Sequence, residues 1–481
     1  MPRSLLQNCR KLRGFFLFFS FKINRSFLAH FSPPAFVQLY IHLLGRFSLK
    51  KQIVILLDVI AVMLLPLSAF AEGSKVDSGD TAFVLLSAAL VMLMTPGLAM
   101  FYGGMVRKKN VLGTLMPSFV AIALVSVQWI LVGYSLSFGP DINGLIGSLA
   151  WAGLSGVGVE PNPDYAATIP HLAFMIYQAM FAVITPALIA GAFAERMKFS
   201  AFLIFTLLWS TLVYDPVAHW VWGTNGWLKN LGALDFAGGI VVHITSGISA
   251  LAAALVIGKR RGYLREAMPP HNLPMTVLGA GLLWFGWFGF NAGSALSAGG
   301  LSTMAFVVTH IAAVTATLVW VVIEWLHRGK PTMFGAATGS IAGLATITPA
   351  SGFVGPMGAL AIGAAAGSIC YLSLSLKPKL KFDDSLDAFG VHGVGGILGT
   401  IGAGLFAQKA INAAGADGLF FGNPHQLLVQ LMSIVVVAVF SFVVSLGILK
   451  GIDVVIGLRL SDEEELMGLD LSQHEENGYQ M

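Results

Sequence analysis

From about residue 81 onward the chain is a series of apolar runs of helical length, separated by short polar stretches. Eleven runs cover roughly 81–104, 113–138, 171–193, 199–221, 236–258, 272–292, 303–326, 333–349, 354–376, 388–407 and 426–449. A hydrocarbon core of ~30 Å takes ~20 residues at a rise of 1.5 Å each, and most of the runs supply that many. Two or three are short or rich in glycine. The pattern predicts an all-α membrane protein with eleven transmembrane helices.

The polar stretches orient those helices. Arg107, Lys108, Lys109, Arg196, Lys198, Lys259, Arg260, Arg261, Arg265, Arg328, Lys330, Lys377, Lys379, Lys381, Lys450 and Arg459 all fall on one side, while the opposite loops hold only Lys229 and Lys409. Positive charge stays cytoplasmic, so the N-terminus is predicted outside and the C-terminus inside. Eleven also divides as five, five and one, and an odd unit repeats upside down, the arrangement of inverted-repeat transporters. A weak echo supports this reading. Leu234-Asp235-Phe236 opens the fifth run and Leu386-Asp387-Ala388-Phe389 the tenth, and each run then carries a histidine, His243 or His392.

Composition narrows the class further. Of 481 residues 56% are hydrophobic and 11% charged, against about 25% charged in soluble domains. The 55 glycines suit helices that pack closely in lipid, where burial of apolar area between helices contributes little. Cys9 and Cys370 lie too far apart in sequence to suggest a disulfide, and two cysteines make no cysteine-based metal site. The net charge of +4 misleads. Residues 1–71 hold nine Lys/Arg against Asp58, whereas residues 72–481 hold 19 Lys/Arg against 23 acids, so the basic balance says nothing of nucleic acid.

The N-terminal excess raises a processing question. Lys50-Lys51, the apolar stretch Ile53 to Leu67 and Ser68-Ala69-Phe70-Ala71 form a signal peptide over 49–71 with cleavage before Glu72; a retained first helix is the alternative. Residues 1–48 match no targeting class and fit a translation start near 49. The body then spans 72–450, and 451–481 is a cytoplasmic tail.

Ionisable groups inside spans default to functional hypotheses. His243 and His392, one from each repeat, are candidates for a pore-lining pair whose imidazoles hydrogen-bond each other and a passing solute; two unrelated buried histidines are the alternative. Asp235 reads as an N-cap or as a cation attractor at a pore mouth, and Asp387 carries the same two readings on the inner side. His310 reads as a histidine bonded to a neighbouring helix. His171, His219 and His425 are expected to meet water or headgroups, and Trp220 to anchor at the interface. A ring cluster including Trp287 and Phe290, with Ser294 a turn beyond, could hold a cation. No Walker A sequence, clustered metal ligands or nucleophile elbow is present, which disfavours an ATPase or a membrane hydrolase and leaves a non-enzyme that takes no cofactor.

At this resolution of motif the chain resembles the ammonium transporter (Amt) family, of the ammonium transporter, methylammonium permease and Rhesus group. The likeness runs from about Asp80 to the C-terminus. It rests on PGLAMFYGGMVRKKNVL, GAFAERMKFSAFLIF, ALDFAGGIVVHITSG with IGKRRG, HNLPM, WFGFNAGSA, FGVHGVGGILG and GLRLSDEEELMGLDLSQHEENGY. The resemblance implies ammonium and ammonia as substrate, and a homotrimer with one pore per subunit in a bacterial inner membrane. It implies a recruitment site of Trp222, Phe181 and Ser294, a gate of Phe181 and Phe290, the pore pair His243 and His392, a structural Asp235, and a tail that meets a PII-type signal protein. An ammonium sensor and a Rhesus-like neutral gas channel are the alternatives. The stretch between Trp222 and Asp235 is one residue longer than the family pattern, and histidine at 310 departs from it.

Overall fold

The computed structural model of the protein describes residues 76–479. The signal peptide 49–71 and the extension 1–48 lie outside the described residues. Ten helices among the described residues are long and apolar enough to cross a membrane, and Met333–Ile347 is an eleventh, shorter apolar helix. In chain order these are α1 (Ser78–Met105), α2 (Lys108–Phe138), α3 (His171–Ala192), α4 (Phe199–Leu231), α5 (Gly239–Ile257), α6 (Leu273–Ala295), α7 (Gly300–Arg328), α8 (Met333–Ile347), α9 (Pro356–Leu380), α10 (Phe389–Phe406) and α11 (Pro424–Ile456). The all-α membrane architecture read from the apolar runs is therefore the one found.

Local chemistry starts and seats these helices. Asp77 caps α1 by accepting from the Asp80 N–H at 2.8 Å, and Thr332 caps α8 by accepting from the Gly335 N–H at 2.9 Å. α1 and α6 pack along much of their length, and a Cβ on Gly279 would collide with the Phe101 backbone. α5 and α10 cross where Gly247 meets the backbone of Gly393, a contact that a Cβ would forbid. The outer faces present Leu318, Leu428 and Val443 to the surroundings, as lipid-facing helices do.

α2, α4, α5 and α10 each contain a π-helical turn, respectively Trp129–Gly133, Ser210–Tyr214, Gly239–Ile244 and Phe389–Gly393. Such turns cluster at functional sites. The last two hold His243 and His392. The repeat is sharper here than the sequence suggested, and its register differs. Asp235 accepts from the N–H groups of Gly238, Gly239, Ile240 and Val241 at 2.8, 2.6, 2.8 and 3.0 Å. Its counterpart at α10 is Asp384, which accepts from Ala388 and Phe389 at 3.1 and 2.8 Å. Each cap precedes its histidine by eight residues (235 to 243, 384 to 392). Asp387 is no cap; with φ +62° its carboxylate turns aside to pair with Lys377.

Several polar residues are more deeply engaged than expected. His171 is buried and shares a 2.5 Å hydrogen bond with the Tyr134 hydroxyl. His219 is buried between the Ser137 carbonyl at 3.0 Å and the Asp141 carboxylate at 2.8 Å. Neither meets water or headgroups. Trp220 donates to the Leu145 carbonyl at 2.7 Å and packs on Phe440, so it fills the interior and anchors nothing at the interface. His310 lies on an exposed face of α7 beside the rings of Trp284 and Phe288 on the neighbouring α6.

On the side of the basic loops, Glu195 is a buried hub. It pairs with Arg107 at 2.9 Å and Arg260 at 3.3 Å, and accepts from Asn110 at 2.9 Å. Arg260 in turn pairs with Asp383 at 2.9 Å. Burial alone would raise the Glu195 carboxyl, but the two guanidiniums outweigh it and hold it below the usual carboxylate range. The tail docks on the same face. α11 runs on to Ile456, so the docked tail begins at Gly457, beyond the boundary of 451. Arg459 and Met197 form a β-bridge, Lys109 donates to the carbonyls of Glu465 and Leu466, the Leu469 N–H donates to Asn110, and Asp470 accepts from the Gly113 N–H. These contacts lie within one subunit, Arg260 is held by Glu195 and Asp383, and Arg261 adds an exposed pair with Asp462 of the tail at 3.8 Å.

Candidate functional site

A vestibule opens on the side opposite the basic loops. Phe138, Asp164, Tyr165, Phe174, Gln178, Phe181, Trp222, Lys229, Phe236, Ser294 and Leu296 line it, and about 160 Å³ is open to the centre of a water-sized sphere. Trp222, Phe181 and Ser294, drawn from α4, α3 and α6, thus share one cavity. The Trp222 and Phe181 rings stand nearly perpendicular, 88° apart with centroids at 5.9 Å. Two π faces meeting at a corner offer a cation two attractive surfaces. Trp222 is held by its indole N–H on the Asp235 carbonyl at 2.8 Å, while the carboxylate of the same residue caps α5. One aspartate therefore fixes both the vestibule ring and the start of the histidine helix. Because that carboxylate is consumed by four N–H groups, the geometry is that of a cap. Asp235→Ala should cost about 2–4 kcal/mol, several charge-assisted bonds at once, read as a lower melting temperature in detergent. A variant that melts normally yet loses ammonium affinity would restore the cation-attractor reading.

Below the vestibule four rings stand nearly in file. Phe181 and Phe290 lie 4.2 Å apart at 30°, Phe290 and His243 lie 6.1 Å apart at 27°, and His243 and His392 lie 5.2 Å apart at 18°. The two imidazole planes are nearly parallel. Among the described residues no group hydrogen-bonds either ring nitrogen of His243 or Nδ1 of His392, so the direct bond between imidazoles is not formed. Buried polar atoms are ordinarily satisfied. Three orphaned imidazole nitrogens thus lie close together. Trp287, read from the sequence as part of a ring cluster that could hold a cation, stacks on His243 at 5.5 Å and donates to Thr348 at 2.9 Å.

An inner chamber takes in both histidines, Trp287 and Phe290 and continues between Met94, Leu98, Phe101, Ile184, Leu188 and Ile341, with Tyr102, Thr338 and Asp387 also in its wall. It leaves about 20 Å³ for the centre of a water-sized sphere, room for something as small as one water. Its walls are mainly apolar, broken by the two imidazoles, Tyr102, Thr338 and the Asp387 carboxylate that pairs with Lys377, so a bare charge away from Asp387 is penalised there.

Tyr177 escaped the sequence reading. Its buried hydroxyl reaches the carbonyls of Gly289 and Phe290 at 3.0 and 2.8 Å and lies 3.2 Å from the Ser294 hydroxyl, which itself donates to Phe290 at 2.9 Å. It thereby ties the Phe290 backbone to the Ser294 hydroxyl. Nothing in its local sequence distinguished it from other span tyrosines. Tyr165, Gln178 and Lys229 were missed for a similar reason, since they come from separate segments that only folding brings together.

A multi-pass helical bundle with a narrow ring-lined lumen between a polar vestibule and an apolar chamber defines a membrane transporter or channel for a very small solute. Comparison with known proteins makes this specific: the chain belongs to the Ammonium Transporter Family, whose profile matches residues 82–479. It is 54% identical to the ammonium transporter of Bacillus subtilis (strain 168), over 84% of this chain and 98% of the relative. It is 50% identical to ammonium transporter Amt1 of Archaeoglobus fulgidus, over 83% and 99% respectively. Among solved structures, Saccharomyces cerevisiae Mep2 superimposes with a TM-score of 0.76 at 38% identity, covering 81% of this chain and 89% of Mep2. A structure described as a sensor Amt protein gives 0.75 at 30% identity, covering 82% and 98%.

Proposed function

We propose that this ammonium transporter recruits ammonium in the aromatic vestibule, where ammonium gives up its proton to water, and passes neutral ammonia along the His243–His392 pair into the inner chamber. The observation that carries the reading is the ring file with its orphaned imidazole nitrogens, set between a vestibule suited to a cation and a lumen hostile to one. Ammonium and potassium are similar in size and charge, but only ammonium can leave a proton behind. Trp222, Phe181 and Ser294 hold the cation, Phe181 and Phe290 close the lumen to it, and the imidazoles offer the uncharged solute hydrogen bonds that apolar walls lack.

Cation–π attraction is worth ~0.5–2 kcal/mol depending on desolvation. Trp222→Leu should therefore raise the half-saturating ammonium concentration by between about twofold and thirtyfold, with maximal flux retained. An equal loss at every concentration would place Trp222 in permeation or folding instead. Charge movement after ammonium addition to the reconstituted protein distinguishes electrogenic transport from neutral gas conduction, and absent flux with intact binding would favour the sensor use suggested by the likeness to the sensor Amt protein.

The same reading places the vestibule outside and the basic loops, with the docked tail, in the cytoplasm of a bacterial inner membrane, as a homotrimer whose tail face meets a PII-type protein. Cleavage of the signal peptide should leave Glu72 as the mature N-terminus. Intact-mass measurement checks this, and a mature chain beginning before residue 60 would overturn it.

A further inference from the structure

The vestibule contains a cation of its own. Lys229 sits on the short helix Trp227–Leu231, at the end of α4, and its side chain lines the cavity with Trp222, Phe181 and Ser294. Its Nζ donates to the Trp222 carbonyl at 3.1 Å and approaches the Tyr165 ring at 6.0 Å from the centroid. The backbone beneath it is well fixed. Leu228 is fully buried, the Trp227 N–H donates to the Gly144 carbonyl at 3.1 Å, and the Gly232 N–H closes onto the Lys229 carbonyl at 3.0 Å. The loop before it turns at Asn225, with φ +64°, and the helix ends at Gly232, with φ +94°. Lys229 is also one of only two basic residues in the loops on this side of the membrane. Asp164 lines the same cavity with the opposite charge.

We infer that Lys229 sets the affinity of the outer site, as a tethered alkylammonium that competes with incoming ammonium for the same carbonyl and ring environment. Its head group has the chemistry of the substrate: a positive nitrogen with N–H donors that rests on a carbonyl and beside a π face. Its charge raises the concentration at which a second cation settles beside Trp222, and Asp164 works against it. The vestibule is thereby matched to ammonium levels higher than the rings alone would require. This rests on the reading of the vestibule as the ammonium recruitment site.

Two unit charges ~7 Å apart at an effective dielectric between those of a protein surface and water interact enough to shift occupancy on the order of fivefold. Lys229→Met should lower the half-saturating ammonium concentration by about that factor, leave maximal flux within about twofold, and do so less at high ionic strength. Lys229→Arg should keep the wild-type value, and Asp164→Asn should move it the opposite way. An unchanged or raised half-saturation in Lys229→Met, with protein that runs as wild type in detergent, overturns the inference. If Lys229→Met misfolds, the opposite shift of Asp164→Asn and its loss at high salt carry the test, and no shift there overturns it. Trp222→Leu measured alongside separates the two failures. A normal half-saturation in Trp222→Leu removes the recruitment reading itself, whereas a raised one with an inert Lys229 removes only the competitor.

Discussion

Replacing His243 and His392 together with leucine yields a protein that folds at least as well as wild type and conducts ammonia poorly. The two halves of that expectation have one cause. Among the described residues, neither nitrogen of His243 nor Nδ1 of His392 has a partner, and an unsatisfied buried polar group costs about 1–3 kcal/mol. Leucine removes that cost while filling similar space against Trp287 and Phe290. The passing solute meanwhile loses its only imidazole contacts in an apolar passage. At about 1–3 kcal/mol for hydrogen bonds no longer available, flux falls by roughly fivefold to 150-fold. Melting temperature and uptake measured on the same preparation check both halves. Normal uptake with unchanged discrimination against potassium would sink the pore assignment. Reduced uptake with a collapsed melting temperature would mean that the pair is structural. The single variant His243→Ala removes the ring that stacks on both Trp287 and His392, so it should lose stability as well as flux. That contrast separates the ring's packing from its polar chemistry.

Much of this site was legible before folding, and the reason is physical. A histidine in a span is expensive in lipid, so His243 and His392 stood out from their surroundings, and the apolar runs that carry them have a length set by the bilayer. The cap at Asp235 was readable because a carboxylate just ahead of an apolar helix has few other uses. The matching cap was misplaced at Asp387. The echo Leu-Asp followed by Phe was a stronger string than Asp384, whose role depends on the chain turning at Asp387 with φ +62°. Local strings cannot show such a turn in a residue other than glycine. His171, His219 and Trp220 were assigned to the interface because position along a span approximates depth. Their burial follows instead from the excursion between α2 and α3, whose hairpins at Asp141–Ile142/Ile146–Gly147 and Pro161–Asn162/Ala166–Pro170 roof that end of the bundle. The stacking of the imidazoles in place of a mutual hydrogen bond was likewise invisible, since it depends on the crossing of α5 and α10 at Gly247 and Gly393.

Truncation after Leu460 should lower transport on the order of thirtyfold without loss of the membrane helices. The cut spares the bridge between Arg459 and Met197 and removes the grip of the tail on the first turns of α2: the Leu469 N–H on Asn110 at 2.9 Å, the Gly113 N–H on Asp470 at 2.9 Å, and Lys109 on the Glu465 and Leu466 carbonyls. Asn110 is the relay. Its side chain accepts from the tail and donates to Glu195, Glu195 binds Arg260, and Arg260 binds Asp383, the neighbour of the Asp384 cap that starts the His392 turn. Loss of the tail frees the first member of a continuous polar chain whose last member sets the backbone of the inner pore histidine. Coupling energies between distant sites are typically 1–3 kcal/mol, a factor of 5–150, and spatial continuity alone does not establish one. A double-mutant cycle does. If the tail acts through Glu195, truncation and Glu195→Gln together should cost little more than either alone, while additive losses would mean that the tail acts by another route. Native electrophoresis and a PII-type partner added to the same preparations complete the test. Full transport and retained partner binding in the truncated protein would reduce the tail to a solubilising end.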